Sequence, residues 1–257
     1  MTKKNTHNFE KDGAVATITF NRPERRNALD TEFFNELYES LWDADNDDSV
    51  RVVVLAAEGP VFCAGQNLKF TNSATPDEYA RYETINESTR DFITRMRKPV
   101  IARVQGPAAG GGVYLITSCD IIVLAENAWV AMREVHAGVH SGGTHMLAIG
   151  LQRAREINLT GRRISAQEAY EMGLINKCVP PDQLDAAVQD YVDQLLALPP
   201  LALQTTKASM RITMDAAGYT TMRQGQRAAG WFLRTTEDFY EAKRAFIEKR
   251  KPNFKGR

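Results

Sequence analysis

Three consecutive glycines, Gly110 to Gly112, stand at the head of an apolar run, "PAAGGGVYLITSCD" over residues 107–120, that reads as a helix. Glycine inside a helix costs roughly 0.5–1 kcal/mol relative to alanine, so three in succession require an offsetting role. The first turn of a helix carries unpaired backbone N–H groups at the positive end of its dipole, and a backbone without side chains lets a ligand reach them. The alternative is a tight strand-to-helix turn with close packing. A second segment, "GPVFCAGQNLKF" over residues 59–70, follows a strand and turns through Ala64-Gly65, which lets a backbone N–H at Gln66 face the first group. Two such donors aimed at one carbonyl oxygen form an oxyanion hole, suited to the enolate of a thioester. His136, His140 and His145, three of the chain's four histidines, crowd into "VHAGVHSGGTH". Imidazole titrates near neutrality, so any of them could move a proton.

The elements that must position these groups follow from hydrophobic period. "AVATITF" at 14–20 alternates and is rich in β-branched residues, which predicts a strand. "NRPERRNALD" then turns, and residues 31–44 carry Phe33, Leu37 and Leu41 at intervals of four, the mark of a helix face. "SVRVVVLAAEG" has a continuous apolar run, as expected of a strand buried on both faces. A helix is predicted over 76–96, strands at "PVIARVQG" and "DIIVLAE", and a short strand or turn at "WVAMREV". Strands separated by helices imply a wound α/β core, since parallel pairing needs a crossover. From Ser165 onward the patterns read as successive helices, punctuated by Pro180, Pro181, Pro199 and Pro200. We expect residues 1–195 to form the core and 196–257 a helical C-terminal region, packed within the chain or on another subunit.

Composition narrows the partners. The 257 residues are 43% hydrophobic, and Lys+Arg and Asp+Glu both number 32, so net charge gives no reason to expect nucleic acid or an anionic membrane. Cys63, Cys119 and Cys178 show no metal-ligand spacing and are too few for a fully paired disulfide framework, which fits a reducing cytoplasm. The start "MTKKNTHNFEKDG" has no apolar stretch of a signal peptide, and no run approaches ~18 apolar residues. The histidines lack a fourth ligand, so no metal is expected.

"FNRPERRNAL", "FCAGQNLK", "GPAAGGGVYLITSCDIIVLAENAW", "GRRISAQEAYEMGLINKCVP" and "EAKRAFIEKRKPNF" occur in the order and spacing of the enoyl-CoA hydratase/isomerase (crotonase) family, which the chain resembles over nearly its whole length. The resemblance implies an α/β fold, a crotonase-like spiral of ββα units with a helical C-terminal trimerisation region, assembled as a homotrimer or as a hexamer made of two trimers. It implies an acyl-CoA substrate and no further cofactor. It makes the N–H groups of Gln66 and Gly111 the oxyanion hole. Arg25 and Arg26, the backbone from Ala64 through Gly65 and Asn67 to Leu68, Gly110 and Lys249 take the places that hold substrate and its CoA phosphates; each charged residue alone could be only a solvated surface group, but clustered at family positions they read better as phosphate contacts.

Hydratases of this family place one glutamate three positions after the middle glycine and another twenty-three after it. Here the first position is Tyr114 and the second is Glu134. A water added across a double bond is usually held by both carboxylates, so the loss of one questions simple hydration. A phenol is a poor base at neutral pH but a good hydrogen-bond donor, which suits Tyr114 to positioning. The local wording looks closest to the dienoyl-CoA isomerase branch, yet the aspartate expected there is Tyr114, and the segment after Glu134 is about two residues shorter than in hydratases. One of the three histidines, His140 first, could replace the missing acid or base. The expectation is an enoyl-CoA hydratase or isomerase in which Glu134 moves a proton. The alternatives are a single-glutamate hydratase-lyase or ring-cleaving enzyme acting on an aromatic or bulky acyl-CoA, and a non-catalytic acyl-CoA binder.

Overall fold

The computed structural model describes residues 2–142 and 145–257. The chain runs through β1 (Thr2–Lys3), β2 (His7–Asp12), β3 (Val15–Phe20), α1 (Thr31–Asn46), β4 (Val52–Ala57), α2 (Leu68–Ser73), α3 (Pro76–Arg95), β5 (Val100–Val104), β6 (Ala108–Ala109), α4 (Gly111–Ile116), β7 (Ile121–Ala125) and β8 (Trp129–Ala131). It continues through a 3-10 turn at Glu134–Ala137, α5 (His145–Ile149), α6 (Leu151–Thr160), β9 (Ile164–Ser165), α7 (Ala166–Glu171) and β10 (Lys177–Val179). Four helices finish it: α8 (Leu184–Leu196), α9 (Pro200–Ala216), α10 (Tyr219–Leu233) and α11 (Glu237–Glu248).

One sheet of seven strands has the order β1-β2-β3-β4-β5-β7-β10, and a second of three strands the order β6-β8-β9. From β3 onward the large sheet is parallel, as the alternation of strands and helices requires. The antiparallel start through β1 and β2 is not visible in sequence, because "HNFEKD" exposes its second half and lacks apolar alternation. Register explains the burial patterns. β3 alternates between half-buried and buried positions, while all six residues of β4 are buried because helices cover both its faces. One face packs Phe20, Phe33, Phe34 and Phe62 against α1 and α3; the other packs Val52, Ile101 and Val123 against Leu184, Val188 and Val192 of α8. Burying each of these large side chains stabilises the fold by roughly 1.5–3 kcal/mol before conformational entropy is subtracted.

Helix starts are specified locally. Asp30 caps α1 by accepting from Phe33 N at 3.0 Å. Thr75 and Glu78 form a reciprocal capping box at α3, with Pro76 in its first turn. The glycine segment does form a helix, but α4 is only six residues long. Beyond Ser165 the helices expected are present, with one short strand, β10, between them, and β9 ends at Ser165 itself; the helical patterns conceal both. No helix among the described residues is long and apolar enough to cross a membrane.

Candidate active site

Two loops meet beside the small sheet, where Cys63 forms a parallel bridge to Ala108 of β6. In the first, the turn "NRPERRNALD" is braced from inside. The Arg22 guanidinium donates to both Asp30 carboxylate oxygens at 3.0 and 3.1 Å and to Ala28 O at 2.6 Å, and Asn27 Nδ2 ties it to Glu58 O and Val61 O. The braced turn presents Leu29 for a parallel bridge to Gln66, in which Leu29 N donates to Gly65 O at 2.8 Å and Asn67 N to Leu29 O at 2.7 Å. A parallel bridge uses the groups on either side of its partner residue, so the Gln66 N–H itself points away from Leu29. The Gln66 side chain is drawn off too, its Nε2 donating to Tyr79 Oη at 3.1 Å.

The second loop follows β6. Gly110 N donates to Ala131 O at 2.9 Å, and Gly110 sits at φ +51°, ψ −121°, a conformation that an L side chain resists. The chain then enters α4 with the Gly111 N–H at its first position. Among the described residues, neither Gln66 N–H nor Gly111 N–H has a hydrogen-bond acceptor. The loops are in contact: a Cβ placed on Gly65, at φ +88°, would lie 2.7 Å from Ala109 O and 3.4 Å from Gly111 N, and one on Gly111 would lie 3.9 Å from Gln66 N. Two unpaired backbone donors therefore stand side by side over one space. Because α4 is so short, the attraction comes from these individual N–H groups more than from a helix dipole.

Pairing of β6 with β8, Ala109 opposite Ala131 in parallel, brings the residues after each strand to one edge. Glu134 is thereby carried against the glycine loop, with its Oε1 3.1 Å from where a Gly110 Cβ would be. Burial pushes the Glu134 carboxyl up to about 7, a rise that the Ser141 hydroxyl, 3.5 Å away, and the charge of Arg90 only partly oppose.

Tyr114 lies one turn along α4. Its Oη accepts from Gly142 N at 3.1 Å and lies 3.4 Å from Ser141 Oγ. Ser141 in turn donates to Asn158 Oδ1 at 2.5 Å, and Asn158 Nδ2 donates to Ala154 O and to His145 Nε2 at 2.7 and 3.1 Å. Burial, reinforced by the Glu134 charge, raises the Tyr114 phenol further above its ordinary value, so it stays neutral.

The remaining residues singled out from sequence divide. Arg25, Arg26, Ala64, Gly65, Gln66, Asn67, Leu68, Gly110, Gly111, Tyr114, Glu134 and His140 all line one cavity of about 1270 Å³. Lys249 does not line it; it ends α11 in a left-handed conformation at φ 54°, while Lys243, one face of α11 earlier, does reach the cavity. His140 packs over Gly230, where a Cβ would meet its ring at 3.0 Å, and makes no hydrogen bond with Glu134 or Tyr114 among the described residues. Burial and the Arg234 charge lower its pKa. His145 is buried, held to about 4 by burial, and His136 packs on Gly161.

Sequence reasoning missed Arg90, Ser141 and Asn158. Arg90 is buried in the helical pattern of α3 and Asn158 in that of α6. Ser141 lies inside the histidine segment, where the histidines drew attention away from the hydroxyl that faces the carboxylate.

Comparison with known proteins agrees with this arrangement. The enoyl-CoA hydratase/isomerase family model matches residues 10–257. The chain is 32% identical over 255 residues to the short-chain-enoyl-CoA hydratase of Clostridium acetobutylicum, covering 97% of each protein. It is 34% identical over 251 residues to the 2,3-dehydroadipyl-CoA hydratase of Escherichia coli, covering 95% of this chain and 96% of that one. An enoyl-CoA hydratase structure from Mycobacterium avium subsp. paratuberculosis superposes with a TM-score of 0.87 at 26% identity, over 97% of this chain and 98% of the other. A match over this length, on a fold whose loops bring two unpaired N–H groups and a half-buried glutamate together, settles the family: the chain belongs to the enoyl-CoA hydratase/isomerase (crotonase) family and is an acyl-CoA-processing enzyme of the hydratase/isomerase kind.

Proposed function

We propose that the protein hydrates a 2-enoyl-CoA with Glu134 as its single proton-transfer carboxylate. The thioester oxygen accepts from the Gln66 and Gly111 N–H groups. This polarises the conjugated double bond and stabilises the enolate formed when oxygen adds at C3. Ionised Glu134 takes a proton from water as the water oxygen bonds to C3 and the π electrons move to the enolate. The resulting carboxylic acid returns that proton to C2, the carbonyl re-forms, and Glu134 is again a carboxylate. The observation that carries this reading is the Glu134 carboxyl itself. At a pKa of about 7 it is stable in both forms near neutrality, as one group that must act as base and then as acid requires.

Tyr114 stays neutral and acts through position. It accepts from Gly142 N–H and fixes Ser141 beside the carboxylate. Tyr114 in place of a second carboxylate favours one other reading, isomerisation, in which Glu134 moves a proton between C2 and C4 and no water is added. Arg25 and Arg26 at the cavity wall, with Lys243, suit the CoA phosphates; Lys249 fits that role less well. The helical region 196–257 is proposed to pack on other subunits in a trimer or a pair of trimers. Leu201 and Ile212 of α9, Phe232 of α10 and Phe246 and Ile247 of α11 are all more than 60% exposed in the single chain, which supports that role. Glu134→Gln is expected to abolish turnover of 2-enoyl-CoA while acyl-CoA still raises the melting temperature. Retained turnover refutes the assignment of Glu134, and thermal protection with no turnover by wild type would make the protein a binder.

A further inference from the structure

Arg90 lines the cavity from α3, and among the described residues no ion pair joins it to a carboxylate, although Glu83 and Glu87 are near enough for their charges to act on it. Its Nε donates to Asn86 Oδ1 at 2.9 Å, and its guanidinium carbon stands 5.5 Å from the centroid of the Tyr114 ring. The Nη groups donate to no described residue, and they are not sealed from the cavity that Arg90 lines. Nearby acidic groups are engaged elsewhere. Glu83 accepts from Tyr79 Oη at 2.6 Å and lies 3.5 Å from Arg234, and Asp91 pairs with Arg211 and Arg223 at 2.9 and 3.4 Å. The Arg223 guanidinium, which also donates to Glu87 O at 3.3 Å, adds a like charge to the neighbourhood. Glu134 is close enough to feel the Arg90 charge, but no ion pair joins the two.

A partly buried guanidinium without an ion pair is costly, and other shielded cations of the chain show the usual pairing: Arg22 with Asp30, Lys207 with Asp120 and Arg211 with Asp91. Arg90 instead stands against Tyr114, one turn along α4 from the Gly111 N–H, which on the enoyl-CoA reading is the acyl side of the cavity. A planar fork with free Nη groups matches a carboxylate with two hydrogen bonds. We propose that Arg90 binds a second, free carboxylate on the acyl group, so that the preferred substrates are CoA thioesters of unsaturated dicarboxylic acids. The proposal rests on the enoyl-CoA reading above and adds the chemistry of the acyl group's far end.

The test compares kcat/KM for pairs of 2-enoyl-CoA thioesters of equal chain length, one ending in a carboxylate and the other in a carboxamide, across a graded series of lengths. In the wild-type enzyme the carboxylate member is expected to win by about 10- to 100-fold at the length that fits, the range for a charge-assisted hydrogen bond. Arg90→Gln should bring that ratio to about one, and Arg90→Lys should keep part of it, because charge survives while the fork does not. A merely structural Arg90 would lower both substrates together and leave the ratio unmoved, which overturns the proposal. Equal wild-type rates for the two members at every length overturn it as well, whether or not Arg90→Gln folds. Turnover of the carboxamides alone leaves the hydratase reading standing and removes this one; no turnover of either removes both.

Discussion

Glu134→Gln should stabilise the protein while inactivating it, in a pH-dependent way that can be worked out. Burial pushes the Glu134 carboxyl up to about 7 in the folded protein, from the 4.5 of an ordinary glutamate. Below about pH 4.5 the group is neutral in both folded and unfolded chains, and folding is unaffected by its charge. Between pH 4.5 and 7 the unfolded chain ionises first, so this group's contribution to stability is progressively lost. Above about pH 7 the loss is essentially complete, at about 3 kcal/mol for a carboxyl raised from 4.5 to about 7. Glutamine keeps the shape and is neutral throughout, so the variant lacks that penalty. Urea denaturation of wild type and variant at pH 5, 6, 7 and 8 should show a stability gap that opens with pH and levels off near 3 kcal/mol. In the same proteins, wild-type kcat/KM should rise with pH through about 7 as the carboxylate forms, and the variant should show no activity at any pH. A gap independent of pH, or a variant less stable than wild type at pH 8, would refute the claim that burial strains the ionised carboxylate.

Further outcomes follow from the geometry around it. Tyr114→Phe leaves Gly142 N–H without its acceptor and should cost about 1–2 kcal/mol of stability. It should lower kcat by less than about tenfold and leave the acidic limb of the pH profile in place, because the phenol is not the titrating group; a displaced limb in the pH–rate profile contradicts this. Gly65→Ala sets a Cβ 2.7 Å from Ala109 O at φ +88° and should cost about 1–3 kcal/mol, with kcat down by up to about 100-fold as the two N–H groups separate. Wild-type kinetics in that variant would show that the loop contact does not set the oxyanion geometry. Asp30→Ala removes the cap of α1 and strands the Arg22 charge, which is only 5% exposed, so a loss of about 3–5 kcal/mol is expected in chemical denaturation. A loss under 1 kcal/mol would mean that the turn beneath Gln66 is braced by other contacts.

How much of this was legible in the sequence depended on whether a signal was local. Strands β3, β4, β5 and β7 and helices α1 and α3 announce themselves, because alternation, continuous apolar runs and four-residue spacing each report burial directly. β2 and β10 do not: their places are set by pairing with β3 and β7, and their own residues carry no distinctive period. The two glycine loops were readable because glycine at positive φ is a local requirement, as Gly65 and Gly110 illustrate. Glu134 needed the family pattern, since nothing in "AMREVHAG" distinguishes a buried carboxylate from a solvated one; its burial arises from β6–β8 pairing across some twenty residues. His140 was the natural candidate by chemistry, yet tertiary packing turned it towards Gly230 and gave the place beside Glu134 to Ser141. Arg90, on a helix predicted over 76–96, could be identified as lacking an ion pair only once every neighbouring charge had a position.

The central claim, that one carboxylate and two backbone N–H groups carry out hydration, is tested most directly by mass spectrometry of the CoA product formed from a 2-enoyl-CoA in water labelled with oxygen-18 and deuterium. The account predicts a product that gains one labelled oxygen at C3 and one deuterium at C2, formed by wild type and not by Glu134→Gln. Deuterium in the acyl chain with no labelled oxygen would contradict hydration and make Glu134 the proton carrier of an isomerase. Labelled product from Glu134→Gln at the wild-type rate would show that the reaction does not depend on this carboxylate at all.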